Sequence, residues 1–173
     1  MAINDLGNID NIAYLLKYDT AYGRSGLDVK VSEDKKSLII DGREVKFLSE
    51  KDPLLLPWKD LEIDVAVEST GFFTSFEKAR MHVTAGAKKV VISAPAKDGA
   101  SAADEGTILM GINCDTLKDM VVTSNASCTT NGGSPVIDIL HREIGIEKAI
   151  LNTIHAYTAS QSIVDGPNAK DLK

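Results

Sequence analysis

The apolar spacing along this chain switches repeatedly between two residues and about 3.6, and such alternation of strand-like and helix-like segments restricts it to an α/β fold. Residues 8–17 place Ile9, Ile12, Leu15 and Leu16 on one face of a short helix, with Asn8 or Asp10 as its candidate cap. Val29 with Val31, then Ser37-Leu38-Ile39-Ile40, then Glu44-Val45-Lys46-Phe47-Leu48 read as strands of a small antiparallel insertion. Asp41-Gly42 between the last two predicts a type I′ hairpin, because that turn needs positive φ at both central residues.

Residues 61–68 alternate as a strand and stop at Ser69-Thr70-Gly71. Thr74 and Glu77 predict a capping box, followed by a helix that places Phe76, Ala79, Val83 and the Arg80 stem on one face and stops at Gly86. Residues 89–93 form the next expected strand, ending at Ser93-Ala94-Pro95, and 107–110 and 120–123 are further apolar runs. After Ser127, the spacing of Val136, Ile139, Leu140 and Ile144 predicts a helix closed by Gly145, and residues 149–154 a strand carrying His155 at its end. Strand-helix-strand units whose strands run into small polar loops follow the doubly wound parallel plan, in which ligands sit beyond the carboxyl ends of the strands. Asp5, Ser69-Thr70-Gly71 and Ser93-Ala94 fall at such ends and together make a nucleotide reading credible, although an Asp after a strand also serves as a helix cap. No G-x-G-x-x-G occurs in the chain.

Cys128 lies in Ser124-Asn125-Ala126-Ser127-Cys128-Thr129-Thr130-Asn131, after an expected strand and at the start of an expected helix. The unpaired N–H groups and positive end of a helix favour thiolate there. His155, 27 residues on, is the candidate general base. The competing reading is a core cysteine with a satisfied histidine, and the run of hydroxyls and amides around Cys128 counts against it. Cys114 has no such setting and reads as a passive thiol, while His82 and His141 read as solvated helix positions. Two cysteines and three histidines without C-x-x-C or H-x-x-x-H spacing make no case for a metal.

Nineteen Lys and Arg against 25 Asp and Glu give a net charge of −6, which argues against a nucleic-acid or membrane surface as partner. No apolar run approaches the roughly 18–20 residues of a bilayer span. The amino terminus lacks a signal-peptide pattern, and two cysteines do not make a disulfide framework, so a cytoplasmic setting is expected.

The octapeptide 124–131 followed by His155-Ala156-Tyr157-Thr158 resembles phosphorylating glyceraldehyde-3-phosphate dehydrogenase. Leu16-Lys17-Tyr18-Asp19, Glu68-Ser69-Thr70-Gly71, Ala85-Gly86-Ala87-Lys88-Lys89-Val90 and Ile92-Ser93-Ala94-Pro95-Ala96 follow that family in order, so the likeness spans the chain. The resemblance implies a partial Rossmann-type doubly wound sheet over residues 1–127, and the beginning of an α+β catalytic domain over 128–173. It implies Cys128 as nucleophile and His155 as base, with Ser127, Thr129 and Thr158 at phosphate-binding positions. Asp5 matches the residue on the adenosine ribose and would repel a 2′-phosphate, so NAD is expected over NADP. Ser69, Thr70 and Gly71 match the loop along the cofactor, Phe73 the residue flanking the adenine, and Ser93 and Ala94 the loop near the nicotinamide. Glyceraldehyde 3-phosphate and inorganic phosphate are the implied substrates, and a homotetramer the implied assembly of a complete protein. The family's glycine-rich loop and later catalytic segments are expected outside these 173 residues, so this stretch is expected to be inactive alone. An erythrose-4-phosphate dehydrogenase and a non-catalytic remnant are the rival readings, and Tyr157-Thr158 favours the triose enzyme over the first.

Overall fold

In the computed structural model, residues 1–158 and 166 are described, and the chain divides into two compact units, Met1–Asp52 with residues 155–173, and Pro53–Ile154. The end of the expected second domain, residues 159–165 and 167–173, lies outside the described residues.

The first unit begins with strand β1 (Ala2–Asn4) and helix α1 (Ile9–Lys17). Asn8 caps α1 by accepting a hydrogen bond from the Asp10 N–H at 2.8 Å, which decides between the two expected caps. A short ribbon, β2 (Tyr18–Asp19) and β3 (Gly23–Arg24), leads to β4 (Val29–Val31), β5 (Ser37–Ile40) and β6 (Arg43–Leu48). The sheet order is β1-β6-β5-β4; β1 runs parallel to β6 and the other pairs are antiparallel. Asp41 and Gly42 take φ of 49° and 78°, the two positive values that the predicted hairpin requires. Ile9 and Ala13 from α1 pack on Val29 and Leu38, with Ile3, Ile12, Leu16 and Phe47 around them.

The second unit contains β7 (Val65–Glu68), α2 (Phe76–Ala79), α3 (Met81–Thr84), β8 (Lys89–Ile92), β9 (Glu105–Thr107), β10 (Val122–Ser124) and α4 (Cys128–Glu143). Its sheet is parallel throughout, in the order β7-β8-β10-β9, so the carboxyl ends of all four strands lie at one edge. A parallel sheet with connecting helices in one unit, and a mixed sheet with an antiparallel insertion in the other, make the partial doubly wound fold expected from the sequence. Ala66, Phe76, Ala79, Val90, Ile92 and Val122 form the core of this unit.

Several local expectations are corrected. β7 starts at Val65 and not at Leu61. Leu61 and Glu62 turn, and the N–H groups of Leu61 and Ile63 bond to the carbonyls of Pro57 and Trp58 at 3.0 Å each. Ile63 and Asp64 lead into the strand with their carbonyls accepting from the Lys88 and Lys89 N–H groups. The Thr74/Glu77 capping box does not form. Ser75 is the cap, its hydroxyl accepting from the Lys78 N–H, while the Asp98 carboxylate accepts from the N–H groups of Phe76 (2.8 Å) and Glu77 (3.3 Å). A carboxylate 22 residues away thus supplies what the local motif was expected to supply. The strand expected at 107–110 lies at Glu105–Thr107, where it pairs with β10. Residues 149–154 form no strand: Ile150 and Ile154 are almost fully exposed, and no described strand pairs with them to make a ladder. No helix among the described residues is long and apolar enough to cross a membrane.

Candidate functional site

Three of the parallel strands of the second unit end in the loops singled out from the sequence. β7 runs into exposed Ser69, Thr70 and Gly71, β8 into exposed Ser93 and half-buried Ala94, and β10 into the turn that begins α4. Register places these ends side by side, since Glu68 pairs with Ile92 and Ser124 with Ile92. Gly71 takes φ of +78° with nothing near the position a Cβ would occupy, so the loop lies open to an incoming group.

Ser124 joins two of the loops. It is fully buried; its hydroxyl donates to the Ala94 carbonyl at 2.8 Å and accepts from the N–H groups of Ala96 (3.1 Å) and Ala126 (3.2 Å). Ala126 lies in the left-handed region at φ of 56°, a conformation that costs a non-glycine residue about 1 kcal/mol or more. The Asn131 amide holds this turn by donating to the carbonyls of Asn125 (2.7 Å) and Ser127 (2.9 Å). Ser127 then caps α4, accepting from the Thr130 N–H at 3.0 Å, with its hydroxyl 2.7 Å from that of Thr130. Cys128, the first residue of a sixteen-residue helix, is exposed, and Thr129 beside it is half-buried. A helix start carries N–H groups without helical carbonyl partners and the positive end of the helix dipole, a setting that suits an anion. Cys114, in a short turn, is half-buried.

The structure therefore gathers Ser69, Thr70, Gly71, Ser93, Ala94, Ser127, Cys128 and Thr129 on one edge of one sheet. Asp5, His155 and Thr158 belong to the first unit. Asp5 follows β1, its N–H bonds to the Leu48 carbonyl at 3.0 Å, and its carboxylate accepts from the Gly7 N–H at 2.7 Å. It is thus a turn residue as well as a ribose candidate, but not the cap of α1. His155 is exposed and its Nδ1 donates to the Ala156 carbonyl at 2.5 Å, which leaves Nε2 as the basic nitrogen. Thr158 is exposed.

One sequence expectation is overturned here. His82 is not solvated but 6% exposed, because it follows Ala79 by three residues and so shares the buried face of the helical segment. Its Nδ1 accepts from the Trp58 indole N–H at 3.0 Å and its Nε2 donates to Glu68 at 2.9 Å. Glu68, 3% exposed at the end of β7, also accepts from the Thr70 N–H at 2.7 Å and from the Thr70 hydroxyl. Burial pushes the Glu68 carboxyl pKa up, but the hydrogen bonds from His82 and Thr70 outweigh it and hold the pKa below its ordinary value. Phe73 sets its ring edge on His82, with centroids 6.4 Å apart. The spacing of His82 from Ala79 was the available signal; the partners, 24 and 14 residues away, left none. Among the described residues no cluster of three or more His, Cys, Asp or Glu could hold a metal ion.

A family model described as "Glyceraldehyde 3-phosphate dehydrogenase, NAD binding domain" matches residues 1–76, and the corresponding C-terminal domain model matches residues 127–173. Over its whole length the chain is 45% identical to a glyceraldehyde-3-phosphate dehydrogenase of Thermotoga maritima and 44% identical to a cytosolic one of Trypanosoma brucei brucei. It is 47% identical to one from Clostridium acetobutylicum. In each case the match covers all of this chain and 50% of the relative, so the chain spans about half the length of the curated relatives it matches.

Proposed function

Because the chain belongs to the glyceraldehyde 3-phosphate dehydrogenase family, we propose that its residues serve the NAD-dependent, phosphorylating oxidation of glyceraldehyde 3-phosphate. The observation that carries this reading is an exposed Cys128 opening a capped helix beside the open ends of β7 and β8. The strand-end loops of the second unit suit a dinucleotide, with exposed hydroxyls at Ser69 and Ser93, an acceptor oxygen at Thr70 and open space over Gly71, and the family resemblance assigns the Asp5 carboxylate to the ribose hydroxyls. When bound, NAD supplies the hydride acceptor that takes the aldehyde to the acyl level.

This chain's own residues do the rest. His155 Nε2 takes the thiol proton, and the Cys128 thiolate adds to the aldehyde carbonyl carbon and forms a C–S bond. The proton returns from Nε2 to the resulting alkoxide, and Nε2 takes that hydroxyl proton back as the carbon is oxidised. The acyl group is left as a thioester on Cys128. A phosphate oxygen attacks the thioester carbon, the C–S bond breaks, and the thiolate returns as 1,3-bisphosphoglycerate leaves. Ser127, Thr129 and Thr158 offer hydroxyl donors to the phosphate groups, two of them flanking the helix start. We place this chemistry in the cytosol, in keeping with the printed name of the Trypanosoma relative, and in a homotetramer once complete.

The test replaces the matching segment of the Thermotoga relative with this chain. With NAD, phosphate and glyceraldehyde 3-phosphate, the chimera is expected to form NADH, to lose that activity in Cys128→Ser and to keep it in Cys114→Ser. The 173 residues alone are expected to show none, since misplacing reacting groups by about 1 Å already costs on the order of 100-fold. A folded tetrameric chimera without turnover, or with full turnover as Cys128→Ser, refutes the reading.

A further inference from the structure

The buried Trp58-His82-Glu68 chain has no role in the chemistry above, yet it ends on the loop assigned to the cofactor. We propose that these three residues form a positioning relay that fixes loop 69–73 in its ligand-receiving conformation by holding His82 in one tautomer. The ligand part of this inference rests on the cofactor reading; the relay itself does not.

The donors leave one arrangement. An indole N–H only donates, so His82 Nδ1, 3.0 Å from Trp58 Nε1, must accept. A carboxylate only accepts, so His82 Nε2, 2.9 Å from Glu68 Oε2, must carry the proton. Glu68 Oε1 is then committed to two donors of Thr70, the N–H at 2.7 Å and the hydroxyl. The single Thr70 hydroxyl proton being spent, its oxygen accepts from the Phe72 N–H at 3.2 Å and, on this exposed residue, keeps one lone pair for a further donor. A ligand group meeting Thr70 is therefore one that donates, such as a ribose hydroxyl or an amino group. Two of the residues expected along the cofactor hang on the relay: Thr70 through Glu68, and Phe73 through its ring edge on His82. The side chains of His82 and Glu68 are 8% and 2% exposed, so water is a poor substitute partner for either.

Glu68→Gln separates this from simple packing. The amide keeps the shape but offers one oxygen, which cannot serve both His82 Nε2–H and the two Thr70 donors. Adding Trp58→Phe removes the indole donor and frees Nδ1 to take the proton. Nε2 can then accept from the introduced amide nitrogen at position 68 while the amide oxygen returns to Thr70. The double variant should recover the Thr70 hydrogen bonds that the single one loses, although its buried Nδ1–H, left without an acceptor, lowers stability; lost packing does not produce that recovery.

The experiment uses the 173-residue chain with histidine nitrogen NMR and amide exchange. The expected wild-type result is the Nε2–H tautomer of His82 and a protected Thr70 N–H. Exchange at Thr70 should quicken about tenfold or more in Glu68→Gln and slow again in the double variant, with His82 now the Nδ1–H tautomer. An Nδ1–H tautomer in the wild type, unchanged Thr70 exchange in Glu68→Gln, or a double variant no slower than the single one overturns the relay. In titrations of the chimera with NAD, affinity should fall about tenfold in Glu68→Gln and recover in the double variant. Equal NAD affinity in wild type and Glu68→Gln overturns the ligand part. A 173-residue chain with the expected exchange pattern beside a folded chimera that binds no NAD refutes the cofactor reading and leaves the relay standing.

Discussion

Gly86→Ala should be the most damaging single-methyl change in the second unit. Gly86 takes φ of +111°, outside the left-handed helical well that other residues sometimes enter. A Cβ there would lie 2.5 Å from Lys59 Cβ, 2.6 Å from Lys59 N and 2.7 Å from Lys59 Cα. The obstacle is mainly backbone, and that backbone is itself tied down, since the Lys59 N–H bonds to the Ala85 carbonyl at 3.1 Å. The strained dihedral costs about 1–3 kcal/mol, and forcing the segments apart adds about as much, so a loss of roughly 3–4 kcal/mol is expected. Gly111→Ala is the matched control: φ is +78° and nothing lies near its added Cβ, so only the dihedral cost of about 1–2 kcal/mol applies. Trp58, the single tryptophan of the chain, adjoins Lys59 and reports the unit containing both glycines. In urea unfolding followed by its fluorescence, with a slope of about 2 kcal/mol per molar, Gly86→Ala should lower the midpoint by about 1.5–2 M and Gly111→Ala by under 1 M. Equal shifts would refute the argument that close approach, rather than the helix stop alone, demands glycine at 86.

Other consequences are open to measurement. Cys128, exposed at a helix start, should react with iodoacetamide faster than half-buried Cys114 near neutral pH, as read by mass spectrometry of partly labelled folded protein; equal or reversed rates would remove the case for an activated nucleophile. In the chimera, NAD should bind better than NADP and Asp5→Ala should narrow the gap by calorimetry; an unchanged preference would place the discrimination elsewhere. Burial raises the Glu105 pKa, but hydrogen bonds from Arg80 and from the Ser101 and Ala102 N–H groups leave it lowered, and the Arg80 hydrogen bond likewise lowers Asp104. Carboxyls depressed in the folded state contribute stability above their unfolded pKa near 4 and lose it as pH falls through the lower folded values. Acid unfolding followed by Trp58 fluorescence should thus begin below about pH 4, and Arg80→Leu should move it to higher pH; an unmoved midpoint would show the ion cluster to be irrelevant.

What the sequence determined alone was set by neighbours in the chain. The Asp41-Gly42 hairpin and the Ser127 start of α4 each depend on groups within a few residues, as does the cap of α1, where the structure chose Asn8 over Asp10. Apolar spacing foretold the parallel sheet, and the strand ends foretold the edge on which Ser69, Ser93 and Cys128 meet. Tertiary structure decided whatever needed a partner far along the chain. Asp98 displaced the local capping box, and β7 starts at Val65, with the Leu61 and Ile63 N–H groups bonded to Pro57 and Trp58. Residues 149–154, β-branched enough to read as a strand, found no described strand to pair with. His82 shows the difference most clearly. A polar ring on a short helix reads as solvated until a carboxylate and an indole, at 2.9 and 3.0 Å, complete its hydrogen bonds and let it be buried. Burial of a polar group depends on whether its partners arrive, and their arrival is a property of the fold.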